Sequence, residues 1–279
     1  LIQYPDLFKF YVDFSHKADS ISPGTFELNA KLDYMALVNS MHTDSESRKV
    51  VQVVIPEGFT MHQIFKRLEE NKVCSYDDLM DAAANYNYNY AFLDGIEQGD
   101  PTRLEGFLFP DTYEFYVGMQ ASSAINKLLE NFHYRVTDEM ITQMTNMGLD
   151  IRSVVTMASL IEREAANDNE RGLIASVIYN RLAVGMPLGI DASILYIHPD
   201  HEGAPTADML TEDSPYNTRL YASLPPTPIA NPGLASIQAV LAPESTNYYY
   251  YALDTATGQH RFFTNSGEFD AFVATQNYE

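Results

Sequence analysis

Tryptophan is absent from this chain of 279 residues, and cysteine occurs once, as Cys74. A single thiol excludes a disulfide within the chain and any cysteine-based metal site. No run of eighteen apolar residues occurs, so no segment reads as a membrane-spanning helix. No signal peptide is visible. The chain opens on Leu1 rather than Met, and the expectation is a fragment of a longer product whose missing N-terminal part could carry an anchor or leader. Positive charge is also scarce: 17 Lys and Arg stand against 38 Asp and Glu, a net charge of −21. A surface of that sign argues against nucleic acid, whose phosphates need a basic face. The sequence has no Gly-x-Ser-x-Gly elbow, no Cys-His arrangement around Cys74, no His-Glu-x-x-His and no phosphate loop. Nothing therefore calls for a metal or a cofactor.

Carboxylates, amides and tyrosines remain. Apolar residues make up 46% of the chain, enough for a substantial core, and there are 19 tyrosines. The most informative stretch runs from Ser153 to Ala165. Its apolar positions Val154, Met157, Ala158, Ile161 and Ala165 follow the 3.6-residue period, and it ends in two carboxylates, Glu162 and Glu164. A carboxylate at the edge of an apolar stripe is desolvated, which raises its pKa and suits it to act as a general acid. At about 100° per residue the two glutamates flank the stripe on opposite sides. Geometry alone does not choose between them.

Local signals organise the rest. Helices are expected at 5–15 and 33–41, a turn into a strand at 21–28, a polar loop at 45–48, and a β-rich run at 50–55. Thr60 and Ser75 read as N-caps of two successive helices. Residues 104–115 read as a strand interrupted by Pro110, followed by helices near 120–134 and 137–147, the second ended by Gly148. The carboxylate helix spans about 150–166. Asn167 with Glu170 suggests a capping box for a helix that stops at Gly185. Residues 186–233 are loop-rich and hold eight of the 14 prolines. Leu234 to Leu241 reads as a helix, 247–253 and 261–264 as a hairpin, and 267–276 as a closing helix.

Several separated runs resemble the membrane-anchored endolytic murein transglycosylases. They are Glu105-Gly-Phe-Leu-Phe-Pro-Asp-Thr-Tyr113, Met157-Ala-Ser-Leu-Ile-Glu-Arg-Glu164, Glu170-Arg171 with Val177-Ile-Tyr-Asn-Arg-Leu182, Gly185-Met186 with Leu188 and Asp191, and Tyr216-Asn-Thr218 with Leu224-Pro-Pro226, Pro228-Ile229 and Asn231-Pro-Gly233. They keep the family's order, and the likeness covers about residues 20–265. The run Val51 to Thr60 with its following helices looks like a LysM-type unit, which the 104–115 strand would complete as βααβ.

The resemblance implies an α+β fold: a LysM-like βααβ unit followed by a mostly helical catalytic domain with a small β-sheet. The implied division is an N-terminal α/β segment at 1–49, the LysM-like domain at 50–117 and the catalytic domain at 118–279. It implies a peptidoglycan lytic transglycosylase, without cofactor or metal, whose acid is the second glutamate of the pair, Glu164. Asn180, Asp191, Tyr216 and Asn217 fall on the family's other site positions, as substrate-binding candidates. Asp191, Tyr216 and Asn217 would sit on a proline-stiffened loop wall, at least two of them lining the cleft of Glu164. The implied partners are glycan strands, cell-wall synthesis proteins and a membrane reached through an anchor outside this chain, with the catalytic domain extracytoplasmic. Two departures stand out: Gly189 and Ile190 where relatives often carry Gln and Thr, and Thr227 in place of a usual Gly. The alternatives are a glycoside hydrolase, which needs a second carboxylate such as Asp191 or Glu162, and a non-catalytic cell-wall scaffold.

Overall fold

The computed structural model describes residues 5–14, 33–40 and 49–278. The expected turn and strand at 21–28 and the polar loop at 45–48 lie outside these residues. Two short helices, α1 (Pro5–Phe14) and α2 (Tyr34–Ser40), precede the first strand. The architecture is α+β, with many helices around two small antiparallel sheets. No helix among the described residues is long and apolar enough to cross a membrane.

The N-terminal sheet pairs β1 (Val50–Val54) with β2 (Thr112–Tyr116), in the register Val50↔Tyr116 to Val54↔Thr112. Between the strands lie α3 (Met61–Glu70) and α4 (Tyr76–Asn85), so the βααβ order is present. Helix α3 buries Met61, Ile64, Phe65 and Leu68, the i, i+3, i+4, i+7 face that its sequence spells out. Thr60 caps it in a reciprocal box with Gln63. Ser75 accepts from the Asp78 N–H, and Asp77 and Asp78 occupy the first turn of α4, where the helix dipole favours negative charge.

The strand expected from residue 104 begins only at Thr112. Residues 101–106 are turns, and Gly106 sits at φ +90°, a conformation glycine adopts without steric cost. Pro110 brings no N–H to a ladder. The Leu108 N–H instead donates to Asn231 Oδ1 at 2.8 Å. This irregular stretch is buried nonetheless: Leu104, Phe107 and Leu108 are at most 1% exposed. Its apolar residues anchor a tight loop to the core, and alternation there carries no strand meaning.

After β2 come α5 (Ala121–Arg135), α6 (Asp138–Asn146), α7 (Ile151–Glu164), α8 (Arg171–Ala183), α9 (Asp191–Tyr196), α10 (Ala207–Leu210) and α11 (Leu234–Leu241). A hairpin of β3 (Tyr250–Asp254) and β4 (Gln259–Phe263) follows, then α12 (Ser266–Val273). The expected apolar stripe on α7 is in fact full burial. Val154 through Ile161 are all buried, because α6, α8, α9 and α11 pack around this helix. Its polar residues are satisfied locally: Thr156 Oγ1 donates to Arg152 O, and Ser159 Oγ donates to Thr156 O while accepting from the Ile229 N–H. The capping box expected at Asn167 does not form. Asn167 caps a short 3₁₀ turn at 168–170 by accepting from the Asn169 N–H, and the Glu170 carboxyl accepts from the Asn167 side-chain amide, the Ala166 N–H and the His260 N–H.

A buried junction ties the βααβ unit to α9 and to the loop before α11. Glu105 is 3% exposed. It accepts from the Met61 N–H, Asn231 Nδ2 and the Tyr196 hydroxyl. Asn231 is fully buried, and its Nδ2 also donates to Phe59 O. Burial pushes the Glu105 carboxyl up to about 8, while these donors pull it down. A Cβ at Gly106 would come within 2.6 Å of Pro228 and 2.7 Å of Val155, so this loop packs directly on α7.

Candidate active site

The two glutamates at the end of α7 go different ways, as the helical wheel requires. Glu162 turns inward to the protein. Its Oε1 accepts from Arg171 Nη2 at 3.0 Å, and its Oε2 accepts from the Gly233 N–H and the Ser236 hydroxyl. The side chains of Arg171 and Glu162 are only 10% and 7% exposed. Both carboxylate oxygens of Glu162 are engaged in joining α7, α8 and the start of α11.

Glu164 faces a cleft of about 540 Å³. A larger cavity of about 970 Å³ lies beside β2 and α5, and neither glutamate of α7 lines it. Arg181, Asp191, Arg219, Tyr250 and Tyr251 line the cleft together with Glu164. The Tyr251 hydroxyl donates to Glu164 Oε2 at 2.8 Å. Burial raises the Glu164 pKa to about 7, and the nearby negative charge of Asp191 adds to the rise. The Tyr251 hydrogen bond and the charges of Arg163 and Arg219 oppose it. The carboxyl is therefore poised to hold a proton or release it near neutral pH, as a general acid that must later act as a base requires.

The hairpin that brings Tyr251 over the helix has its own support. The His260 ring packs edge-on against the Tyr251 ring, with centroids 5.3 Å apart. The His260 N–H donates to Glu170 Oε1 at 2.9 Å, and His260 Nδ1 lies 2.8 Å from Glu170 Oε2. Burial pushes the Glu170 carboxyl up. The contacts from His260 and the Ala166 N–H outweigh this and hold it below the ordinary value. Glu170 thus connects the 3₁₀ turn after the Glu164 helix to the strand next to Tyr251.

The other candidate residues divide. Asp191 lines the cleft, and its Oδ1 accepts from Arg219 Nε at 2.6 Å. Asn180 lies behind the wall. Its Nδ2 donates to Thr246 O and Tyr248 O, fixing the chain that enters β3. Asn217 is fully buried, donates to Leu210 O and Glu212 O, and accepts from the Arg219 N–H. The Tyr216 hydroxyl pairs with Thr227 Oγ1 at 2.8 Å, and its ring packs on Tyr196. The expectation that at least two of Asp191, Tyr216 and Asn217 line the Glu164 cleft is therefore corrected: only Asp191 does. Asn217 holds the loop from within by partnering its backbone, and Tyr216 pins it through the Thr227 hydroxyl and the Tyr196 ring. Gly189 does reach the cleft, at φ +65°, with its N–H bonded to Thr218 O.

Tyr251 and Arg219 escaped the reading of the sequence, and Arg181 entered it only within the run Val177 to Leu182. Tyr251 sits in a run of four tyrosines, and only the folding of the hairpin singles one out. Arg219 immediately follows the Tyr-Asn-Thr run, which was the available signal.

Comparison with known proteins identifies the family. A family model described as the YceG-like family matches residues 1–275. An endolytic murein transglycosylase of Bacillus subtilis (strain 168) is 31% identical over 264 residues, covering 90% of this chain and 72% of that protein. The endolytic murein transglycosylase of Streptococcus pneumoniae (strain D39) is 27% identical over 298 residues, covering 98% of this chain; the chain spans 54% of the length of that relative. A crystal structure of a yceG-like protein from Listeria monocytogenes superposes with a TM-score of 0.70 at 28% identity, covering 96% of this chain and 90% of that one.

Proposed function

The chain belongs to the YceG-like family, and from that premise we propose that it is an endolytic peptidoglycan lytic transglycosylase with Glu164 as its single acid and base. The observation that carries this reading is one carboxyl, with its pKa raised to about 7, hydrogen-bonded to Tyr251 in an open cleft. The bond cleaved is the β-1,4 link between MurNAc and GlcNAc. Glu164 gives its proton to the glycosidic oxygen, and the C1–O bond breaks as positive charge builds on the sugar ring. GlcNAc departs with a free 4-hydroxyl. The Glu164 carboxylate then takes the proton of the MurNAc C6 hydroxyl as O6 closes on C1. The product end is a 1,6-anhydro ring, and Glu164 returns to its protonated state. An internal nucleophile loses little further entropy on reaching the transition state.

The fate of the other carboxylates supports the same reading. A hydrolase needs a second carboxylate to attack or to activate water. Glu162 is engaged with Arg171, and Asp191 is paired with Arg219. In the proposed scheme burial keeps Glu164 protonated, the charge of Asp191 adds to that effect, and Asn180, Tyr216 and Asn217 act through the loops they hold.

The proposal extends to the organisation of the chain. Residues 50–117 form a LysM-like glycan-binding unit after an N-terminal segment at 1–49, and residues 118–279 are catalytic. The βααβ order and its antiparallel closure support this division. In the cell the domain works outside the cytoplasmic membrane, on an anchor beyond this chain, and ends nascent glycan strands beside cell-wall synthesis proteins. Mass spectrometry of products from purified glycan strands is the test, wild type beside Glu164→Gln. Anhydro ends from wild type alone support the scheme; reducing ends would make the protein a hydrolase, and no new ends would make it a binding protein.

A further inference from the structure

Two guanidinium groups line the Glu164 cleft, and they are not equivalent. Arg181 is consumed by the fold. Its Nε donates to Tyr249 O at 2.6 Å, its Nη1 donates to Pro187 O and Leu188 O, and the group lies 5.4 Å from the Tyr250 ring centre. Arg219 is 42% exposed, and only its Nε is engaged, by Asp191 Oδ1. A guanidinium carries five N–H donors in a planar fork. The four on the terminal nitrogens of Arg219 have no hydrogen-bond partner among the described residues, while Asp191 fixes the direction of the fork.

The charge of the site sharpens the point. The chain as a whole carries −21, which repels an anionic polymer at long range. With Glu164 protonated, the cleft holds two guanidiniums against the single carboxylate of Asp191. The active cleft is thus a local positive spot on a negative protein, and its unspent donors belong to Arg219. A fork of this kind matches a carboxylate in a bidentate pair.

We propose that Arg219 is the recognition group for a carboxylate of the glycan substrate, and that Asp191 is its positioning residue. This rests on the reading of the cleft as a peptidoglycan site. The carboxylate has two chemical sources: the lactyl group of a strand stripped of its peptides, or the free carboxylates of a stem peptide.

The experiment measures binding in the Glu164→Gln chain, which leaves strands uncut. Three purified probes are compared: stripped strands with free lactyl carboxylates, the same strands with those groups converted to methylamides, and strands bearing stem peptides. The stripped strands are expected to bind about tenfold more tightly than the methylamides, as a charge-assisted pair predicts. Adding Arg219→Gln brings that ratio close to one, and Arg219→Lys, which keeps the charge without the fork, leaves an intermediate ratio. If the stem-peptide strands instead hold the advantage and lose it with Arg219→Gln, the proposal stands with the peptide as the source. An advantage that survives Arg219→Gln, or strands that all bind equally to the parent chain, overturns the proposal while leaving the transglycosylase reading in place. Failure of every strand to bind overturns both.

Discussion

Replacing Glu164 by Gln should make the protein more stable at alkaline pH while disabling it. In the folded chain the Glu164 pKa stands at about 7 against an ordinary 4.5. A carboxyl raised in this way contributes its full stability below pH 4.5 and loses it as pH climbs through 7, because ionisation is easier in the unfolded chain. At about 1.36 kcal/mol per pKa unit, the cost above pH 8 approaches about 3 kcal/mol. That figure is an upper bound, since the cleft admits water that screens the charge. Glutamine never ionises, and its carbonyl can still accept from Tyr251. Urea unfolding of the two proteins at a series of pH values gives the comparison, and other titrating groups cancel in the difference. The curves should agree at pH 4, separate between pH 4.5 and 7, and run parallel above 8 with the variant ahead. Turnover should fall by about 10²–10⁴ or more, as for a lost proton transfer. A difference that does not change with pH, or a variant weaker than wild type at pH 8, would refute the buried, proton-holding environment assigned to Glu164.

Tyr251→Phe removes a hydrogen bond that lowers the Glu164 pKa, so the alkaline limb of the pH–rate profile should move to higher pH; a shift to lower pH would contradict the geometry. Glu162→Gln removes the nearest of three carboxylates around Arg171, whose side chain is 10% exposed, and leaves Asp168 at 3.5 Å and Glu57 at 3.9 Å; it should cost about 1–3 kcal/mol in denaturant unfolding while the folded fraction keeps its turnover within about tenfold, and greater loss of turnover would return Glu162 to the chemistry. Gly106→Ala places a methyl 2.6 Å from Pro228 at a positive φ, and should destabilise by about 2 kcal/mol or more. Calorimetry showing an unchanged Tm would mean the loop yields easily.

Much of the helical framework was legible because its signals are local. Thr60 and Ser75 cap helices through hydrogen bonds three residues away, and that distance fits within any short window of sequence. Glu170 shows the limit. Its spacing from Asn167 fits a capping box, but its carboxyl accepts from the Asn167 side chain and the Ala166 N–H, and from His260, 90 residues along the chain. The same limit hides Tyr251, which meets Glu164 across 87 residues. Residues 104–111 misled for another reason. Their apolar pattern reports burial, and a loop buried against α7 reads like a strand until Gly106 and Pro110 are given their backbone consequences. For Glu162 and Glu164 periodicity supplied opposite directions, and only the packing of α8 and the hairpin says what lies in each.

Helix α7 ends at Glu164, and the chain leaves helical geometry at Ala165 with ψ 123°. The acid therefore sits on the last turn, where unpaired carbonyls give an α-helix a partial negative charge of about half an electron. That fixed field works against a carboxylate and in favour of any cation nearby. It thus helps the carboxyl to keep its proton before reaction, and its sign suits the positive charge that builds on a sugar ring as the glycosidic bond breaks. Carrying α7 past Ala165 would move this polarity away from the acid, and would also displace the 3₁₀ turn whose Glu170 supports the hairpin of Tyr251. The length of one helix is in this sense a setting of the electrostatic field, and the backbone as much as the side chains determines how the acid behaves.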